Sequence, residues 1–222
     1  VVHGDYWKEG VQKIIRKKVI KTLKKFGGKL IETKYVKDIS QSFIKEKKLE
    51  VGNAPENRRP KLKRLLKAKR KKIIRILESH NALSGLIIES LSVLKNKNFL
   101  EFDGMWSSSL TDSTARGKPD NQSVDYSTRM IGVNEILDVT TKPMIFDGDN
   151  GGRLEHLPFL VKTLDRLGVS AVIFEDKIGL KKNSLFKNQK GAFQDKPNLF
   201  AKKIKKVCSS RQSKDFLVVA RI

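Results

Sequence analysis

A chain of 222 residues has room for one large or two small domains, and its single cysteine, Cys208, excludes an intramolecular disulfide and suits a reducing, cytoplasmic setting. No apolar run approaches the roughly 20 residues of a membrane-spanning helix and no secretory leader is visible, so no membrane association is expected. The net charge of +23 is uneven, with 25 Lys and Arg against 8 Asp and Glu in residues 1–80 and 22 against 16 in residues 81–222. Such basicity keeps a nucleic-acid-binding protein as an alternative; yet the basic residues alternate with Ile and Leu in helical patterns without aromatic studding, so no nucleic acid is the expectation.

Residues 1–45 read as strand end, helix, strand and helix start. Val1-Val2 is a strand tail, and Val11, Ile14, Ile15, Val19, Ile20 and Leu23 recur at helical spacing until Gly27-Gly28 stops them. Lys29–Thr33 is a short strand. Ile39–Ile44 opens a helix with Ser40 as a candidate cap, and such a helix start suits phosphate. Residues 46–60, rich in charge and turn formers, read as a linker.

From residue 61 the pattern alternates. Leu62, Leu65 and Leu66 share one face of a basic helix. Strands are expected at Lys72–Glu78, Phe99–Trp106, Pro143–Phe146, Ser170–Phe174 and Phe216–Ile222. Helices are expected at Ala82–Leu94, Thr128–Val139, His156–Leu167 and Phe200–Cys208, with a turn at Ser107–Ser109. Five strands with intervening helices argue a parallel α/β sheet. A complete (β/α)8 TIM barrel takes about 250 residues, so residues 61–222 would supply its first five-eighths. A five-stranded doubly wound sheet fits the count too, but Ser79-His80-Asn81-Ala82 follows the first strand where that fold places a glycine-rich phosphate loop. The chain lacks an initial Met and ends on an apolar run, and reads as a fragment cut at both ends.

Two of the apolar runs end in carboxylates. Pro143–Phe146 leads into Asp147-Gly148-Asp149-Asn150-Gly151-Gly152, and Ala171–Phe174 into Glu175-Asp176-Lys177, followed by Lys181-Lys182-Asn183-Ser184. In a parallel barrel the C-terminal ends of the strands build the active site. Acidic groups converging there repel one another unless a cation sits among them, which argues for Mg2+ held by oxygen ligands and working on an anionic substrate. Asp and Gly also follow strands because turns need them; two such pairs, each closing an apolar run, weigh more than one.

Several separate stretches over about residues 60–222 resemble the phosphoenolpyruvate mutase family of the isocitrate lyase/phosphoenolpyruvate mutase superfamily. They are Glu78–Gly85, Gly104–Leu110, Asp147–Gly152, Glu175–Lys177 with Lys181–Leu185, and Val219–Arg221. The resemblance implies rearrangement of phosphoenolpyruvate to phosphonopyruvate, the first step of phosphonate biosynthesis. It implies that Asp147 ligates Mg2+ directly and that Asp149 and Glu175 hold it through water. Ser108 and the backbone of Ser109 and Leu110 would cradle the substrate, with Trp106 as an apolar wall. Asp120 would lie near the migrating phosphoryl group, and Arg221 would pair with substrate oxygens. Lys181 and Asn183, with Ser184 and Leu185, would belong to a gating loop that excludes water. The superfamily's lyases carry a catalytic cysteine loop, whereas Cys208 falls within a helix. Phosphonopyruvate hydrolase is the runner-up, and Asn183, where hydrolases tend to carry Thr, favours the mutase. Full-length relatives of this kind imply a homodimer or homotetramer.

Residues 1–45 are similar to the C-terminal end of a cytidylyltransferase of Rossmann-like nucleotidyltransferase type. The likeness rests on His3–Lys8 and on Asp38–Ser42, whose Ser40 and Ser42 would contact the phosphates of CTP. Tyr6 and Gln41 depart from that pattern. The expected organisation is therefore a partial cytidylyltransferase-like domain at 1–45, a linker at 46–60 and five βα units of a mutase-like barrel at 61–222.

Overall fold

The chain divides into two compact units, 1–44 and 45–222. The computed structural model describes residues 1–34, 51–68, 73–96, 98–179, 181–182 and 193–222. In the first unit β1 (Val2–Gly4) pairs in parallel with β2 (Ile31–Thr33), Val2 opposite Ile31. Parallel neighbours need a crossover, supplied by short 3-10 turns at Asp5–Lys8 and Gly10–Gln12 and by α1 (Lys13–Lys25). Trp7, 4% exposed, anchors the unit. Its indole N–H donates to Glu32 Oε1 at 2.8 Å, and the His3 ring stacks on it at 3.7 Å between centroids. Arg16 forks onto the same Glu32 carboxylate at 2.7 and 2.9 Å.

The second unit begins with α2 (Pro55–Ala68). Residues 55–60, expected as linker, are instead its first turns. Pro55 stands at the helix start, where the missing N–H costs nothing, and Arg58 and Arg59 on those turns reach into the unit. Arg58 is fully buried and its guanidinium donates to the carbonyls of Leu137 and Thr140; Arg59 pairs with Asp165 at 2.6 Å.

Five strands then make one parallel sheet: β3 (Ile76–Glu78), β6 (Gly104–Ser107), β7 (Met144–Asp147), β8 (Ala171–Glu175) and β11 (Leu217–Arg221). Their spatial order follows the chain without reversal. A doubly wound sheet reverses direction at a switch point, so the consecutive order is that of a barrel wall. Between β3 and β6 lie α3 (Ala82–Ser90), whose cap Asn81 forms a capping box with Ser84, and the antiparallel hairpin of β4 (Ser92–Lys95) and β5 (Asn98–Glu101). The expected helix to Leu94 and strand from Phe99 are thus both shortened by this hairpin. Its turn begins at Asn96, left-handed at φ 51°, a conformation Asn tolerates and two-residue hairpin turns require.

The remaining elements are α4 (Ser109–Ala115), α5 (Tyr126–Val139), α6 (Leu157–Leu167), the short antiparallel pair β9 (Lys177–Ile178) and β10 (Phe193–Gln194), and α7 (Pro197–Ser210). Ser109, expected in a turn, opens α4. Gly168 closes α6 at φ 87°, and an added Cβ there would lie 2.6 Å from Pro55 Cα, so only glycine fits between these helices.

Strand residues alternate faces. Met105, Met144, Phe146, Val172 and Phe174 join Ile88, Val133, Ile136, Leu157, Val161, Leu164, Phe200 and Val207 in the core between sheet and helices. The alternate residues, Trp106, Ile145, Asp147, Ile173 and Glu175, therefore occupy the opposite face. No helix among the described residues is long and apolar enough to cross a membrane.

Candidate active site

The site lies where that opposite face meets the C-terminal ends of the strands. Register puts Glu78 beside Trp106, Asp147 beside Ile173, and Glu175 beside Arg221. The chain leaving β6 turns into α4, bringing Ser108 to its cap and Ser109 and Leu110 to its first turn. Asp149 is held at φ 48° by the tight turn after β7, and its N–H donates to Asp147 Oδ1 at 3.0 Å. These elements enclose a cleft of about 320 Å³ lined by Glu78, Trp106, Ser108, Ser109, Leu110, Asp120, Asp147, Asp149, Asn150, Glu175, Lys181 and Arg221, among others.

The centre of the cleft is an ammonium among carboxylates. Lys181 Nζ donates to Asp120 Oδ1 at 2.8 Å, to Asp149 Oδ1 at 2.5 Å and to Ser109 Oγ at 2.5 Å. Ser109 in turn donates to Asp147 Oδ2 at 3.2 Å. Arg221 pairs with Glu175 at 3.1 Å, so its fork faces a protein carboxylate here. Burial, and next the neighbouring Asp147 charge, push Asp149 above the usual carboxylate range. Glu175 is raised too, mainly by burial, against the pull of Arg221. Burial works to lower Lys181, but the Asp149 and Asp120 carboxylates outweigh it and raise its pKa. The indole N–H of Trp106 is buried and has no protein partner among the described residues.

The carboxylates thus stand where each other's charge is costly, which is the donor chemistry a hard divalent cation relieves. Among the described residues no three His, Cys, Asp or Glu side chains form a ready ligand cage. Of the residues singled out from the sequence, Asp120, Lys181, Arg221, Trp106, Ser108, Ser109, Leu110, Asp147, Asp149 and Glu175 meet in this cleft. Asn183, Ser184, Leu185, Ser40 and Ser42 lie outside the described residues.

The sequence reading missed the buried support beneath the carboxylates. Arg129 of α5 is 2% exposed. Its Nε donates to Asp112 Oδ2 at 2.9 Å, its Nη1 to the Asp147 carbonyl at 2.6 Å and its Nη2 to the Ser107 carbonyl at 3.2 Å. The guanidinium lies 4.2 Å over the Phe146 ring and 3.7 Å from Asp149 Oδ2. One signal was available: Arg129 shares a helix face with Val133 and Ile136, and a charge on an apolar face demands a buried partner.

The family model described as Phosphoenolpyruvate phosphomutase matches residues 62–222. The chain belongs to that family. It is 37% identical over 150 residues to a phosphoenolpyruvate phosphomutase of Tetrahymena pyriformis, covering 66% of this chain and 46% of the relative. It is 26% identical over 147 residues to a phosphonopyruvate hydrolase of Variovorax sp. (strain Pal2), covering 66% of this chain and 50% of that one. Among solved structures, a phosphoenolpyruvate phosphomutase from Streptomyces platensis subsp. rosaceus superimposes with a TM-score of 0.64 at 26% identity, over 73% of this chain and 52% of the other. The chain therefore spans half or less of the length of the curated relatives it matches. The family match covers the whole five-stranded sheet and leaves the first unit outside it.

Proposed function

We propose that the full-length protein is an Mg2+-dependent phosphoenolpyruvate mutase that interconverts phosphoenolpyruvate and phosphonopyruvate. The observation that carries this reading is the Lys181 ammonium set between Asp120 and Asp149, beside Asp147, in the cleft of a family member. In the reaction the P–O bond of phosphoenolpyruvate breaks, and the electron pair at carbon 3 of the resulting enolate forms the C–P bond. Nothing enters or leaves, so the step is an isomerisation.

Largely dissociative phosphoryl transfer asks a protein for positioning and charge stabilisation. Bound Mg2+ would neutralise the substrate carboxylate and the enolate oxygen; Asp147 would hold it directly, Asp149 and Glu175 through water. Ser108 and the backbone N–H groups of Ser109 and Leu110 would orient the substrate against Trp106. Asp120 would orient the migrating phosphoryl group, with Lys181 and Arg221 matching its charge. Asn183, Ser184 and Leu185 would help exclude the water that otherwise captures a metaphosphate-like species.

Two further parts of the reading rest on resemblance. The first unit would belong to a CTP-dependent cytidylyltransferase that activates a phosphonate made downstream. The full-length protein would work as a cytoplasmic homodimer or homotetramer. Titration of the full-length protein with CTP tests the first, and absence of binding removes it.

Phosphorus NMR of the full-length protein with phosphonopyruvate and Mg2+ tests the main reading. Conversion to phosphoenolpyruvate supports it. Release of phosphate and pyruvate would replace it with the hydrolase reading, which the 26% identical relative keeps open.

A further inference from the structure

We propose that Arg129, itself held by Asp112, is the positioning residue of the acidic cleft and sets the carboxylates of Asp147 and Asp149 for a divalent cation. The proposal deepens the mutase reading and rests on it for the identity of the site. The geometry separates this residue from ordinary core. Its fork closes on three elements at once: the Asp112 carboxylate on α4, the Ser107 carbonyl at the end of β6 and the Asp147 carbonyl at the end of β7. Ser107 Oγ donates to the same Asp112 oxygen at 3.1 Å, so the Asp112 carboxylate is itself fixed from two sides. All three side chains are buried. The connection to Asp147 runs through its backbone carbonyl and leaves both carboxylate oxygens free of Arg129. What the guanidinium controls is therefore the aim of the Asp147 side chain and the path of the turn that carries Asp149. The guanidinium carbon, 4.2 Å from the centre of the Phe146 ring, is held against that ring as well.

A lysine at this position would keep the charge and lose the fork, because a single ammonium cannot present coplanar donors to all three acceptors. This separates positioning from simple charge balance. Residues that orient metal-binding side chains without touching the metal characteristically change metal affinity about 10–100-fold when replaced.

The test is Mn2+ binding to the full-length protein without substrate, followed by the electron paramagnetic resonance of free Mn2+, with unfolding midpoints recorded in parallel. Folded Arg129→Lys and Asp112→Asn are each expected to weaken Mn2+ about tenfold or more. The double variant is expected to be little worse than the weaker single, because both act along one path. In turnover, the Mn2+ concentration for half-maximal rate should rise in step with the dissociation constant. Asp112→Asn preserves shape and carries the test if Arg129→Lys does not fold. Wild-type affinity in either folded variant overturns the proposal. So does tighter binding by Arg129→Met, which would make the residue a repelling counter-charge, and so does wild-type protein that binds no Mn2+. Wild-type protein that binds Mn2+ without mutase turnover leaves the Arg129 assignment standing and removes the mutase reading instead.

Discussion

Glu32 shows how much one carboxylate can be asked to do in a small unit. The Arg16 fork, and after it the Trp7 indole, hold its pKa down at about 2 from an ordinary 4.5. A carboxylate with a depressed folded pKa contributes stability that is complete above its unfolded value and fades as pH falls toward the folded one. The melting midpoint of the first unit should therefore hold steady above about pH 5 and fall between pH 4.5 and about 2. Glu32→Gln should lower the neutral-pH midpoint and flatten that acid limb, which a thermal melt series resolves; an unchanged limb would assign the acid sensitivity elsewhere. In the cleft, Lys181→Met removes the charge shared by Asp120 and Asp149, and under the proposed mutase reading it should cut kcat of the full-length protein by a factor on the order of 10³ or more, as loss of a group acting on developing charge does. Asp147, Asp149 and Glu175 were legible because carboxylates that close apolar runs stand out, whereas Asp120 and Lys181 were reached only through the family resemblance. Arg129 and Asp112 were not legible, because inside helices a charged residue usually faces water, and only the apolar company of Val133 and Ile136 marks the exception.

Between elements, the turns that deliver the site are tightly packed. Gly148 follows β7, and a Cβ there would stand 2.5 Å from Phe174 Cε1 and 2.9 Å from the Ile173 carbonyl. The second contact is backbone and cannot move aside, so Gly148→Ala should push β7 from β8 at a cost of about 1–3 kcal/mol. Urea unfolding measures the loss, and the displaced Asp147 should weaken Mn2+ binding as well. At the opposite end, Arg58 caps the carbonyls that end α5, and burial lowers its pKa to about 10. Arg58→Met strands two buried carbonyls and should cost about 3 kcal/mol, with little change in affinity for the cation, since the site lies at the other ends of the strands. The elements around these turns were readable from periodicity, as α6 with Leu157, Leu160, Val161, Leu164 and Leu167 shows. The hairpin β4–β5 was not: Val93 and Leu94 continue the apolar content of α3, and only Asn96 with a two-residue spacing betrays the turn. The start of α2 was hidden likewise, because Pro55 and Pro60 read as breakers, while tertiary contacts of Arg58 and Arg59 hold the helix across them.

For the whole molecule, the sheet raises the question of its outer strands. β3 and β11 each have a strand neighbour on one side only among the described residues. Leu77 and Val219 on those strands are 39% and 42% exposed. An open edge presents unpaired N–H and C=O groups that can template further strands. The consecutive strand order is the part of a barrel that the family match covers, and in a closed barrel neither edge would exist. A polypeptide of these 222 residues should therefore self-associate as its concentration rises through the micromolar range. A lysine on the exposed side of an edge strand opposes pairing by charge and desolvation, so Val219→Lys should shift association to higher concentration without lowering the melting midpoint of the dilute protein. Sedimentation velocity across a concentration series reads both forms. A wild-type chain that stays monomeric throughout, or a Val219→Lys chain that associates equally well, would show that the edge of β11 is already protected and that the sheet's exposed apolar residues are tolerated as they stand.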